Sequence, residues 1–131
     1  IKYKIPHGLS VALLHPFVID FGIEDAEDRY AEMAIAIGHN PNESKSSLAR
    51  KILKLIYQYN EQFQIWETGR PYIPMDQMCS SQIKELTALT LCGNGIDTNR
   101  RIPTQEDIEK IFHQLFQVLN PDLIHQYNRN D

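Results

Sequence analysis

A chain of 131 residues is long enough for one domain with its own core, and its 42% hydrophobic and 23% charged residues are ordinary for a soluble globular protein. A formal net charge of -4 argues against nucleic acid and anionic membrane as partners. No apolar run approaches the roughly 20 residues that span a bilayer, and no secretory signal is visible. Taken in chain order, the first helical stretch runs from about Gly8 to Phe21. Pro16 inside it removes a hydrogen bond and crowds the preceding turn, which predicts a kink or break. Its side chains are almost all apolar, so the helix requires burial on every side. The second runs from about Glu24 to Ile37 and stops at Gly38, a C-terminal glycine. Its acidic start (Glu24, Asp25, Glu27, Asp28) suits the positive end of the helix dipole.

The third helix has a capping residue in Ser44 or Asn42, followed by Leu48, Ile52, Leu55, Ile56, Tyr59 and Phe63 at helical spacing. Burial of each such side chain is worth roughly 1.5–3 kcal/mol before entropy is counted, so this stripe is predicted to face the core. Lys45, Arg50, Lys51 and Lys54 on the same helix read as a solvated basic face. A turn-rich linker with Gly69, Pro71 and Pro74 comes next. A fourth helix covers Ser81 to Cys92, and Gly93-Asn94-Gly95 forms a loop. The last helix begins after Thr104, where Thr104 and Asp107 make a capping box of the T-x-x-D form. Its apolar face is Ile108, Ile111, Phe112, Leu115, Phe116 and Leu119, and Asn120-Pro121 ends it. Nothing alternates with period two for long enough to be a strand. The fold class is all-α.

Chemistry legible from spacing alone is sparse. Histidines stand at positions 7, 15, 39, 113 and 125, and no pair has the i,i+4 spacing of helical metal ligands. Cys79 and Cys92 are too few for a disulfide framework, and their spacing of thirteen fits no zinc pattern. They read as reduced thiols of a cytoplasmic protein, and no sequence cue makes either a nucleophile. The Gly93-x-Gly95 loop lacks the strand-to-helix context of a phosphate cradle and reads as a turn.

One segment differs, Ile5-Pro6-His7-Gly8-Leu9-Ser10-Val11-Ala12-Leu13-Leu14-His15-Pro16-Phe17-Val18. It resembles the metal-ligand helix of iron-containing alcohol dehydrogenases, in which proline-histidine-glycine precedes a small and apolar stretch and then leucine-proline. Arg29-Tyr30-Ala31-Glu32-Met33-Ala34 with Gly38 is similar to that family's next helix, and the Pro71 segment to the loop before its penultimate helix. Asn99-Arg100-Arg101-Ile102-Pro103-Thr104-Gln105-Glu106-Asp107-Ile108 is similar to its near-terminal "NPR…T-x-E-D-I" stretch. The likeness covers about the whole chain. Two positions depart from the pattern: His15 stands where the family has leucine before the proline, and Arg100 where it has the proline of "NPR".

The resemblance implies a multi-helix bundle like the C-terminal domain of these enzymes, with residues 1–131 forming a single helical domain. The family's dinucleotide-binding domain would lie upstream and is absent from this chain. The family's metal, iron(II) or zinc, is held by one aspartate and three histidines. The resemblance makes His7 the last of them and the only one present. NAD(P) and the metal are then cofactors of the parent oxidoreductase, neither tightly bound by the chain alone, which is expected to be inactive. A rival reading is a non-catalytic helical interaction module derived from the family, to which Arg100 is suited. An apolar first helix without its upstream neighbours predicts self-association through Leu9, Leu13, Phe17 and Phe21.

Overall fold

The computed structural model describes residues 3–74, 78–93 and 95–120, and among them the backbone forms six α-helices and no strand. The all-α expectation holds, with one helix more than the periodicity indicates. α1 (His7–Gly22) lies centrally, packed against three others: α3 (Lys45–Gln62), α4 (Ile65–Gly69) and α6 (Gln105–Leu119). α2 (Glu27–Ala36) lies along α3, and α5 (Ser80–Leu91) along α6. The main core gathers Leu13 and Phe17 of α1, Trp66, Ile73, Ile83 and the face of α6 formed by Ile111, Leu115, Phe116 and Leu119. Two smaller clusters sit where α3 meets α1 (Ile19, Ile23, Ala49, Leu53) and where it meets α2 (Ala31, Ala34, Leu48, Ile52).

Of the kink or break expected at Pro16, the break does not occur: α1 is one helix from His7 to Gly22. Proline has no N–H, so the carbonyl of Ala12 one turn earlier loses its helical donor. Asn60, only 5% exposed on α3, donates its Nδ2 to that oxygen at 2.9 Å. The replacement comes from another helix and satisfies the buried Asn60 amide together with the Ala12 carbonyl.

α2 begins three residues later than its acidic run suggests, because Ile23–Ala26 first form a 3-10 turn that keeps Ile23 buried. Its end fits the glycine signal. Gly38 adopts φ +101°, its N–H bonds the carbonyl of Ile35, and the His39 N–H reaches that of Ala34, both at 3.0 Å. This pair of bonds is a Schellman cap. Ser44 is the N-cap of α3, its Oγ accepting from the Ser47 N–H at 3.2 Å. Asn42 instead closes a local turn, its backbone N–H bonded to Oδ1 of Asn40.

The apolar stripe of α3 is only partly buried. Leu48 and Ile52 are in the core and Leu55 and Ile56 half-buried, but Tyr59 is 46% and Phe63 64% exposed, their rings 5.9 Å apart. The buried face is shifted toward Ala49, Leu53 and Asn60 because α1 packs there. Lys45, Arg50 and Lys54 are solvated as expected. Arg50 lies 3.5 Å from Asp20, and Lys51 is half-buried at 2.5 Å from Glu43.

The segment read as a linker contains α4 and a 3-10 turn, Arg70–Tyr72. α4 places Trp66 in the core and brings its own backbone against α1. A Cβ at Gly69 would lie 2.7 Å from both methyl carbons of the buried Leu13, so this contact requires glycine. Arg70 donates Nε to the carbonyl of Leu119 at 2.7 Å, serving the end of α6. α5 lies one residue earlier than predicted at each end. α6 starts with the full capping box: Thr104 Oγ1 accepts from the Asp107 N–H and the Asp107 carboxylate accepts from the Thr104 N–H. Of the remaining sequence readings, Asn94 and Pro121 lie outside the described residues.

Two stability measurements follow from these contacts. Asn60→Ala leaves the Ala12 carbonyl unsatisfied and is expected to cost about 2 kcal/mol in urea denaturation. The same substitution is expected to cost at least about 1 kcal/mol less in a Pro16→Ala background, where residue 16 supplies its own donor. Additive effects would refute the pairing. Thr104→Ala is expected to lower stability by about 1 kcal/mol, and an unchanged denaturation midpoint would contradict the cap.

Candidate metal-ligand helix

His7 is the first residue of α1, exposed at the surface. Pro6 precedes it with φ -53° and ψ 137°, an extended conformation set by the pyrrolidine ring, and its carbonyl accepts the Ser10 N–H at 3.0 Å. Ser10 Oγ donates to the His7 carbonyl at 2.8 Å, fastening the first turn. The rest of α1 holds this end in place. Phe17 lies 6.0 Å from both Tyr57 and Trp66, ring centre to ring centre, and Leu13 is clasped by Gly69. The side chain of His7 therefore projects from a rigid element rather than from a loop.

Positions 7, 11, 15 and 18 follow one another at helical spacing, and His7, Val11, His15 and Val18 on this line are all exposed. They form the one solvated stripe of α1. The opposite side carries Leu13 and Phe17, which are 1% and 3% exposed, with Leu9 and Phe21 half-buried against the same core. Those four residues, from which self-association is expected, already pack within the chain.

Among the described residues the other histidines do not join His7 in a metal-binding group. His39 follows the Schellman glycine, His113 is half-buried on α6, and His125 lies outside the described residues. Among the described residues no three His, Cys, Asp or Glu side chains are grouped to hold a metal ion. Both cysteines are free and exposed. Cys79, at the N-cap of α5, has its thiol held below the usual range by the Ser81 hydroxyl, 2.9 Å away.

Arg100, the departure in the "NPR" stretch, makes a long-range tie. Its Nη1 donates to the Asp28 carboxylate at 2.7 Å and to the Asp25 carbonyl at 3.2 Å. The loop before α6 is thus fastened to the start of α2, and Arg100 keeps the Asp28 carboxyl below its ordinary value of 3.8. Neighbouring Arg101 donates to the Phe21 carbonyl at 3.2 Å and lies over the Phe21 ring at 4.4 Å. Neither role is visible in the sequence, where Arg100 reads only as a missing proline.

Residues 1–116 match the Fe-containing alcohol dehydrogenase family, C-terminal part. Among curated proteins, an NADPH-dependent butanol dehydrogenase from Clostridium saccharobutylicum is 26% identical over 116 residues, which cover 87% of this chain and 29% of that protein. An alcohol dehydrogenase from Thermococcus barophilus is likewise 26% identical, over 85% of this chain and 28% of its own length. The chain thus spans less than a third of either relative. No solved structure matches it. Described residues contain no helix long and apolar enough to cross a membrane.

Among the described residues three carboxylates have lowered pKa values: Asp28 through Arg100, Glu43 through Lys51, and Asp107 through Thr104. A group whose folded pKa is depressed stabilises the fold above its unfolded value and ceases to do so as pH falls through the folded one. Stability is therefore expected to hold near neutrality and to decline as pH drops below the ordinary values of 4.5 and 3.8. Arg100→Met should flatten part of that decline. An acid limb identical in the variant would show that the Asp28 pair adds nothing.

Proposed function

Since this chain belongs to the Fe-containing alcohol dehydrogenase family, matching its C-terminal part, we propose that it is the metal-ligand-bearing helical portion of an NAD(P)-linked alcohol dehydrogenase with His7 as one ligand. The observation that carries this reading is the place of His7, exposed at the fixed N-terminal end of α1, in the Pro6-His7-Gly8 sequence that begins the resembled helix. Imidazole on a rigid helix suits iron(II) or zinc, and the described residues offer no complete set of ligands around it. The chain fits the role of contributing one ligand, with the others supplied by the rest of the enzyme. A metal held there would supply Lewis acidity at the alcohol oxygen, and nicotinamide would supply the hydride acceptor.

What these residues do for that chemistry is positional. The Pro6 carbonyl and Ser10 hydroxyl fix the first turn, so the imidazole emerges on the solvated side of α1 beside Val11. Asn60 keeps α1 whole beyond Pro16, which ties the direction of that stripe to the core. By itself the chain is expected to be inactive, and a cytoplasmic location accords with its free thiols.

The test uses the enzyme that carries this chain. His7→Ala is expected to lower bound iron or zinc, measured by elemental analysis, by at least about tenfold, and kcat/KM with it. His15→Ala, two turns along the same stripe, is expected to leave both unchanged. Full metal content in the His7 variant would refute the assignment.

A further inference from the structure

Two adjoining cavities lie along the C-terminal half of α1, away from His7's end of the helix. The first, about 150 Å³, is apolar and lies between α1 (Leu14, Val18, Phe21) and α6 (Ile108, Ile111, Phe112). The second, about 380 Å³, is lined by Arg29, Arg100 and Arg101 together with Tyr30, and no acidic side chain lines it. Val18, Phe21 and Asn99 line both, so the apolar recess and the cationic one share a wall.

We infer that this double cavity binds a carboxylate anion bearing an apolar tail of about five carbons, head among the arginines and tail between α1 and α6. The size argument comes from the tail. A dry cavity of about 150 Å³ lined by Leu, Ile and Phe accepts a benzene-sized guest; this recess has a like volume and a mainly apolar lining, to which Thr90 and Asn99 add polar groups. The charge argument comes from the head. Each guanidinium has five N–H donors, and the bonds these arginines make leave others to offer a guest. Arg100 gives Nη1 to Asp28 and the Asp25 carbonyl, with a longer contact from Nη2, while Arg29 gives Nη1 to Glu32. Arg101 gives Nη1 to the Phe21 carbonyl and stands over the Phe21 ring, at the wall common to both cavities. Donors in a fork of this shape match a carboxylate in two-point geometry. Water fills the cationic half readily but gains little in the apolar half, which favours a guest that serves both.

The experiment is calorimetric titration of the protein with hexanoate near neutral pH, beside acetate, hexanamide and inorganic phosphate. Hexanoate is expected to bind at least about tenfold more tightly than acetate, which lacks the tail, and than hexanamide, which lacks the charge. Arg101→Met is expected to weaken hexanoate about tenfold and leave hexanamide unaffected. Arg29→Met, whose surface pair with Glu32 is not needed for folding, gives the same reading if the Arg101 variant fails to fold. The inference is overturned if hexanoate binds no better than acetate, or if phosphate displaces it at equal concentration. It is overturned equally if a folded Arg29 variant binds hexanoate as the parent does.

Discussion

One carbonyl oxygen decides how this bundle holds together. Pro16 stands inside the central helix and deprives Ala12 of its donor, an arrangement that costs several kcal/mol where nothing compensates. Asn60 reaches across from α3 and supplies the donor, so a local defect becomes a long-range tie across 48 residues of sequence. α1 can then remain one rod, with Leu13 and Phe17 turned to α4 and α6 and Ile19 to α3. Everything attributed to the helix, from the attitude of His7 to the cavity walls at Leu14 and Val18, depends on that continuity.

Features governed by neighbours in sequence are legible from the residues alone. Ser44, Gly38 and the Thr104–Asp107 box mark helix ends through bonds spanning three to five residues, and each is found where its chemistry places it. Features governed by distant contacts are not. α4 is five residues long, and what sustains it is Trp66 in the core and Gly69 against Leu13, neither of which has a periodic signature. Tyr59 and Phe63 fit a helical stripe yet point to solvent, because the packing of α1 selects the face that includes Ala49 and Asn60.

The candidate site shows the same division. Pro6-His7-Gly8 picks out the ligand by its likeness to the family's motif, and its position on a fixed helix end agrees with the family match. Arg100 is legible only as a departure. In three dimensions it links the loop before α6 to α2 and puts a guanidinium at a cavity whose other arginines, 29 and 101, are separated by about 70 residues in the chain. No sequence period brings those three together; the packing of the α6 loop against the start of α2 does.

Trp66 gives the molecule an internal optical gauge. It is the sole tryptophan of the chain, 7% exposed, with Phe17 at 6.0 Å and Tyr57 at 6.5 Å, ring centre to ring centre. Its indole therefore emits from an apolar environment and collects excitation from Tyr57 only while α1, α3 and α4 are assembled around it. Because Phe17 belongs to the helix that begins at His7, a red shift of that emission signals the undocking of the ligand-bearing rod without any label being attached.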